Sequence, residues 1–268
     1  MSFTPQTPQR ALQSRFFVES YALLALALPL VLSSVIETSI GFFSNLFLAH
    51  LGAKSLAAGA LVSWVFTTIM VIIWGVFSAI SILVARYYGA NQPLQIRAVL
   101  YAGLLLAILL MIPAMILMWN LAPIFLFFGQ KQSVVTLAQP YLHGLAWAII
   151  PDFLITVLLQ FSAGLGRTKT NLVFSLLFVP LNIFFNYSLL FGKFGLPCLG
   201  IAGIGWGAAL AFWIMTTGFI FYFLLNPNYR IYWQRSRVEP IYPALKEILQ
   251  VGFPLGLMYC VEVGFFWR

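Results

Sequence analysis

Hydrophobic residues fall into long, nearly unbroken blocks separated by short polar connections. A helix needs about 20 consecutive apolar residues to cross the hydrocarbon core of a bilayer. Six blocks reach that length, at residues 21–49, 56–85, 98–119, 141–163, 171–191 and 201–225, and a seventh opens at Glu247 and is cut short at Arg268. The blocks lack period-2 alternation and are too long for strands. Several exceed what a straight span needs, which predicts tilt. Turn residues such as Gly-Ala-Asn at 89–91 mark the connections. The connection at 120–140 is partly apolar and is expected to lie along the membrane surface. The pattern predicts an all-α integral membrane protein. Residues 1–20 form an N-terminal segment, 21–225 a six-helix transmembrane bundle, 226–246 a loop, and 247–268 a truncated seventh helix.

Composition reinforces this reading. Of the 268 residues, 62% are hydrophobic and 7% are charged, against roughly 25% charged in soluble domains. Lipid is a partner by necessity. The net charge of +8 follows from topology rather than from nucleic-acid binding. With the N-terminus in the cytoplasm, Arg10, Arg15, Arg86, Arg97, Arg167, Lys169, Arg230, Arg235, Arg237 and Lys246 fall on the cytoplasmic side. Only Lys54, Lys131 and Lys193 fall outside. This bias matches the positive-inside rule and predicts a multi-pass protein of the cell (inner) membrane. The first block is longer than a signal-peptide core and has no clear cleavage site after it, so it reads as a true helix.

Soluble-enzyme chemistry has no footing. Cys198 and Cys260 share no short spacing, and His50 and His143 lie far apart, so neither a disulfide framework nor a zinc site is indicated. No P-loop, dinucleotide fingerprint or nucleophile elbow is present, and no catalytic residue, metal ligand or cofactor is assigned. The glycines at 200, 203, 205 and 207 follow no strand and precede no acidic partner, so they read as close helix packing.

An internal repeat sets the expected architecture. LLALALPLVLSSVIE at 23–37 and ILQVGFPLGLMYCVE at 248–262 align without gaps. Pro29 then meets Pro254, and Glu37 meets Glu262. Leucine matches mean little in apolar sequence, whereas a proline and an intramembrane acid in one register mean more. Six intervening helices give both copies the same orientation, so they are parallel repeats.

The polar residues inside the blocks are the candidate site. A carboxylate at mid-membrane costs at least ~2.5 kcal/mol on insertion scales, and Glu37, Asp152 and Glu262 all lie within apolar runs. Each can bind a proton, a sodium ion or an organic cation, or can simply hydrogen-bond a neighbouring helix. Asn182 and Asn186 share one helix face, and Pro180 frees a carbonyl just before them. They suit a polar cavity, or equally a polar bridge between helices. Pro29, Pro180 and Pro254 interrupt their helices in the manner tolerated where transporters bend.

Four stretches resemble the multidrug and toxic compound extrusion (MATE) family, NorM-like branch. They are GFFSNLFLAHLGAKSLAAGAL at 41–61, ARYYGANQ at 85–92, FSAGLGRTK at 161–169 and NIFFNYSLLFGKFGLPCLGIAGIGWGAAL at 182–210. The resemblance covers nearly the whole chain in order. It implies half of a twelve-helix, two-lobe antiporter that exports amphiphilic organic cations as sodium ions or protons enter. It implies ion coupling at Glu262 and cavity positions at Asn182 and Asn186. Where many members carry a first-helix Asp, this chain has Ser44. Glu37, seven residues earlier on roughly the same face, is the expected substitute. Asp152 matches no acid of the family pattern. The alternative function is a lipid-linked saccharide or lipid flippase of related fold, which would need a basic cavity. Because the chain ends inside helix seven, the second lobe is expected to be missing, and coupled transport by these residues alone is not expected.

Overall fold

The computed structural model describes residues 8–233 and 240–266, and every element among them is helical. In order they are α1 (Pro8–His50), α2 (Ala53–Gly89), α3 (Pro93–Trp119), α4 (Leu121–Phe127), α5 (Gln132–Gly164), α6 (Thr168–Phe191), α7 (Ala202–Leu225), α8 (Pro227–Trp233) and α9 (Ile241–Phe266). Seven of these contain a stretch long and apolar enough to cross a membrane: α1, α2, α3, α5, α6, α7 and α9. Residues 1–7 of the N-terminal segment, Arg235 and Arg237 of the loop, and Arg268 lie outside the described residues.

Consecutive long helices run up and down because their connections are short. Between α1 and α2 only two residues intervene, and Gly52 takes φ 100, a conformation a side chain would strain. At the other end of the bundle, α2 closes on Ala90, whose N–H reaches back to the Arg86 carbonyl, and Pro93 starts α3 without needing a donor. The connection at 120–140 is mostly helical. It holds α4, which buries Leu121, Ala122 and Phe125 and leaves Phe127 exposed, and then the first turns of α5. Residues 226–246 hold α8 and the start of α9 rather than a plain loop.

The centre of the bundle is α5, which packs on α2, α3, α6 and α7. Its buried face carries Leu142, Leu145, Ala146, Ile149, Phe153, Val157 and Phe161. Small residues let the backbones close up. A Cβ on Gly144 would collide with the backbone of Gly205 and Trp206, and one on Gly203 with the backbone of Leu189 and Leu190. Gly203, Gly205 and Gly207 are therefore packing glycines that bring α7 against α6 and α5.

α1 leans on α6 and α2, while α9 lies against α2 and α3. The α9 contact has its own glycine seam: Gly252 and Gly256 face Val76 and Ile72 of α2, and Gly75 faces Gly256. At the end where α2 finishes and α9 begins, Arg86 and Tyr87 both hold Glu247, at 2.9 and 2.6 Å. At the same end Tyr229 of α8 is fully buried. Its hydroxyl donates to Ser162 Oγ at 3.1 Å, and the Arg167 guanidinium lies 4.4 Å from its ring centre. This end carries Arg86, Arg97, Arg167, Lys169, Arg230 and Lys246, and the opposite end carries Lys54, Lys131 and Lys193.

Candidate functional site

Five of the helices enclose a cavity of about 390 Å³. Helical periodicity explains which residues reach it. On α1 the lining positions are Glu37, Ile40, Gly41 and Ser44, spaced three, four and seven apart along one face. On α6 they are Phe174, Ser175, Phe178, Asn182 and Asn186, again a single stripe. α2 supplies Ser63, Phe66, Thr67 and Trp74, α5 supplies residues from Tyr141 to Leu159, and α7 supplies Ile204, Ala208 and Phe212. The lining positions of α1 and α7 lie toward the end carrying Lys54 and Lys193, whereas those of α5 and α6 run past the helix middle toward the arginine-rich end, at Thr156 and Leu159 of α5 and at Phe174 and Ser175 of α6.

Two carboxylates look into the space from different walls. Asp152 on α5 is 5% exposed. Its oxygens accept the Trp74 indole N–H at 3.3 Å and the Thr156 hydroxyl, one helical turn away, at 3.4 Å. Glu37 on α1 is exposed at the cavity wall and accepts a hydrogen bond from the Ser175 hydroxyl of α6. The described residues that line the cavity include no Lys, Arg or His, so neither carboxylate meets a protein cation there.

The amides form a second polar element. Asn186 Nδ2 donates to Asn182 Oδ1 at 2.8 Å, and both residues are buried, at 2% and 1% exposure. Gly207 makes room for this pair, since a Cβ there would strike Asn186. The Asn186 Oδ1 itself accepts no hydrogen bond. Beneath Asp152, the Thr216 hydroxyl of α7 donates to the Pro151 carbonyl at 2.9 Å and ties the two helices together. The remaining wall is aromatic, made by Phe66, Trp74, Tyr141, Phe174, Phe178 and Phe212.

Glu37, Ser44, Asp152, Asn182 and Asn186 thus line one space. Glu262 does not line it; it is exposed near the end of α9. Pro29 is buried within α1, whereas Pro180 and Pro254 sit exposed within α6 and α9. Trp74, Thr156 and Ser175 are site residues that inspection of the chain passes over. Two left a trace in the sequence: Thr156 lies four residues after Asp152, and Ser175 seven before Asn182, each on its partner's face. Trp74 left none, because a tryptophan in an apolar span reads equally as lipid-facing.

The cavity is thus aromatic-walled, with carboxylates and amides and no basic residue among those that line it. The family described as MatE matches residues 29–188. The chain belongs to the MatE family. Among curated relatives, this MatE chain is 36% identical to the "Probable multidrug resistance protein NorM" of Pseudomonas putida, over 92% of its own length and 54% of the relative's. It is 34% identical to the protein of the same name from a Synechococcus strain, over 91% and 53%. The fold matches the crystal structure of the eukaryotic MATE transporter AtDTX14 with a TM-score of 0.81 at 21% identity, covering 92% of this chain and 54% of that one. It also matches an outward-facing multidrug resistance MATE transporter with a TM-score of 0.77 at 24% identity, covering 89% and 52%. The chain spans about half the length of the relatives it matches.

Proposed function

We propose that this chain is the first lobe of a cation-driven exporter of amphiphilic organic cations, and that the cavity is the lobe's binding site. The observation that carries the reading is the combination of Glu37 and Asp152 with six aromatic residues and no basic residue. A cation with apolar groups satisfies both halves of that wall: carboxylates compensate its charge, and ring faces attract it while burying its apolar surface. Sodium ions or protons, competing for the same carboxylates in alternate conformations, supply the driving exchange. Glu262, in register with Glu37 along the internal repeat, is the coupling acid assigned to the second lobe. Its position on α9, outside this cavity, accords with that assignment.

Membrane orientation follows the charge bias, with the N-terminus and the arginine-rich end in the cytoplasm of a cell (inner) membrane. A lipid-linked saccharide or lipid flippase is the weaker reading, because a phosphate-bearing headgroup calls for basic residues and the cavity offers none among its lining residues.

The test uses a form that includes the second lobe, reconstituted in vesicles with an imposed sodium or proton gradient and a fluorescent organic cation. Efflux should collapse in Glu262→Gln and fall severalfold in Glu37→Gln while membrane insertion is retained. Undiminished efflux in both variants would overturn the assignment.

A further inference from the structure

The two cavity carboxylates carry a consequence for the ligand's charge. They stand on different helices, α1 and α5, and each is held by its own neutral donors: Ser175 for Glu37, Trp74 and Thr156 for Asp152. Neither is in an ion pair among the described residues; the one described there joins Arg86 to Glu247 at the other end of the bundle. The donors stabilise negative charge without neutralising it. In a site walled by lipid-facing helices, an uncompensated carboxylate is costly, so a ligand that brings one positive charge compensates only half of what the cavity presents. Asn182 and Asn186 line the same space as neutral amides bonded to each other, and bring no positive charge to it. Aromatic residues of α2, α6 and α7 line the same space as the two carboxylates, which suits an apolar spacer joining two cationic centres.

We infer that the cavity selects organic dications, one cationic centre at Glu37 and the other at Asp152, over monocations of the same length. The inference rests on the reading of this cavity as an organic-cation site and narrows its substrate class. Glu37, exposed at the cavity wall, receives the centre that enters last. Asp152, enclosed and fixed by the Trp74 indole, receives the leading one.

The experiment measures equilibrium binding to the purified chain in detergent, by calorimetry, for decyltrimethylammonium and a series of bis(trimethylammonium)alkanes of increasing length. The best dication should bind at least about tenfold tighter than the monocation. Glu37→Gln and Asp152→Asn should each remove that advantage, with gel filtration confirming that the variants stay monodisperse. A second measurement needs no variant: bound dication should protect both Glu37 and Asp152 from carbodiimide labelling, read by peptide mass mapping, whereas the monocation should leave one reactive. Equal affinity for monocation and dication would overturn the inference and leave the organic-cation reading standing. So would an advantage that survives both substitutions, or a monocation raised to the dication's affinity by added sodium. Binding of neither probe would overturn the organic-cation reading itself.

Discussion

Replacing Gly144 by Ala tests how tightly the cavity walls are set. α5 and α7 each carry one wall and meet at Gly144 and Gly205. A Cβ at Gly144 would sit 2.5 Å from the Gly205 carbonyl carbon and 2.6 Å from the Trp206 nitrogen, where ordinary contact begins at 3.4 Å. Both obstacles are backbone, so no rotamer change relieves them, and the helices must separate by about 0.9 Å. Overpacking of this kind costs about 1–3 kcal/mol. Alanine also favours the helix over glycine by about 1 kcal/mol, which hides part of the clash. Gly218→Ala supplies the control: it lies on α7 with nothing within 4 Å of the added carbon, so it gains propensity without collision. The stability difference between the two variants therefore reads the clash alone, as an about 5- to 150-fold difference in unfolding equilibrium. Titration with denaturing detergent, followed by intrinsic tryptophan fluorescence, measures it. If Gly144→Ala is as stable as Gly218→Ala, the α5–α7 seam is not close-packed and the cavity geometry drawn from it is wrong.

Two further outcomes follow from individual contacts. Thr216→Val removes the donor to the Pro151 carbonyl and should cost about 1 kcal/mol in the same titration, with Thr216→Ser recovering most of it; equal loss in both would assign the effect to shape rather than to the hydrogen bond. Glu247→Gln leaves Arg86 and Tyr87 without their shared carboxylate. Because the Arg86 side chain is 67% exposed, the cost should stay below about 1 kcal/mol, and organic-cation binding to the cavity should be unchanged; a severalfold loss of binding would connect the two ends of the bundle.

The all-helical membrane class, the number of spans and their order were legible in the chain because the bilayer leaves few options. A run of apolar residues that long must satisfy its own backbone hydrogen bonds, and a helix is the structure that does so within one segment. The glycines of α7 were legible as packing residues for the same local reason, since no strand or acidic partner offered them another role. The family resemblance and the polar stripe of Asn182 and Asn186 were local as well. What the sequence left undecided was whether those amides faced a cavity or a neighbouring helix. Helical spacing tells which residues share a face, and says nothing of what that face meets. Only the packing of α6 against α1 and α7 turned the stripe inward, and only the crossing of α2 and α5 set Trp74 beside Asp152, 78 residues apart in the chain. The same holds for α9. Its repeat with α1 is written in its sequence, but its seat on α2 is decided by where Gly252 and Gly256 find a backbone they can approach closely. Solvent dictated the elements through the length and polarity of each block; the cavity arose from contacts between blocks, which depend on shape complementarity between residues that no local pattern relates.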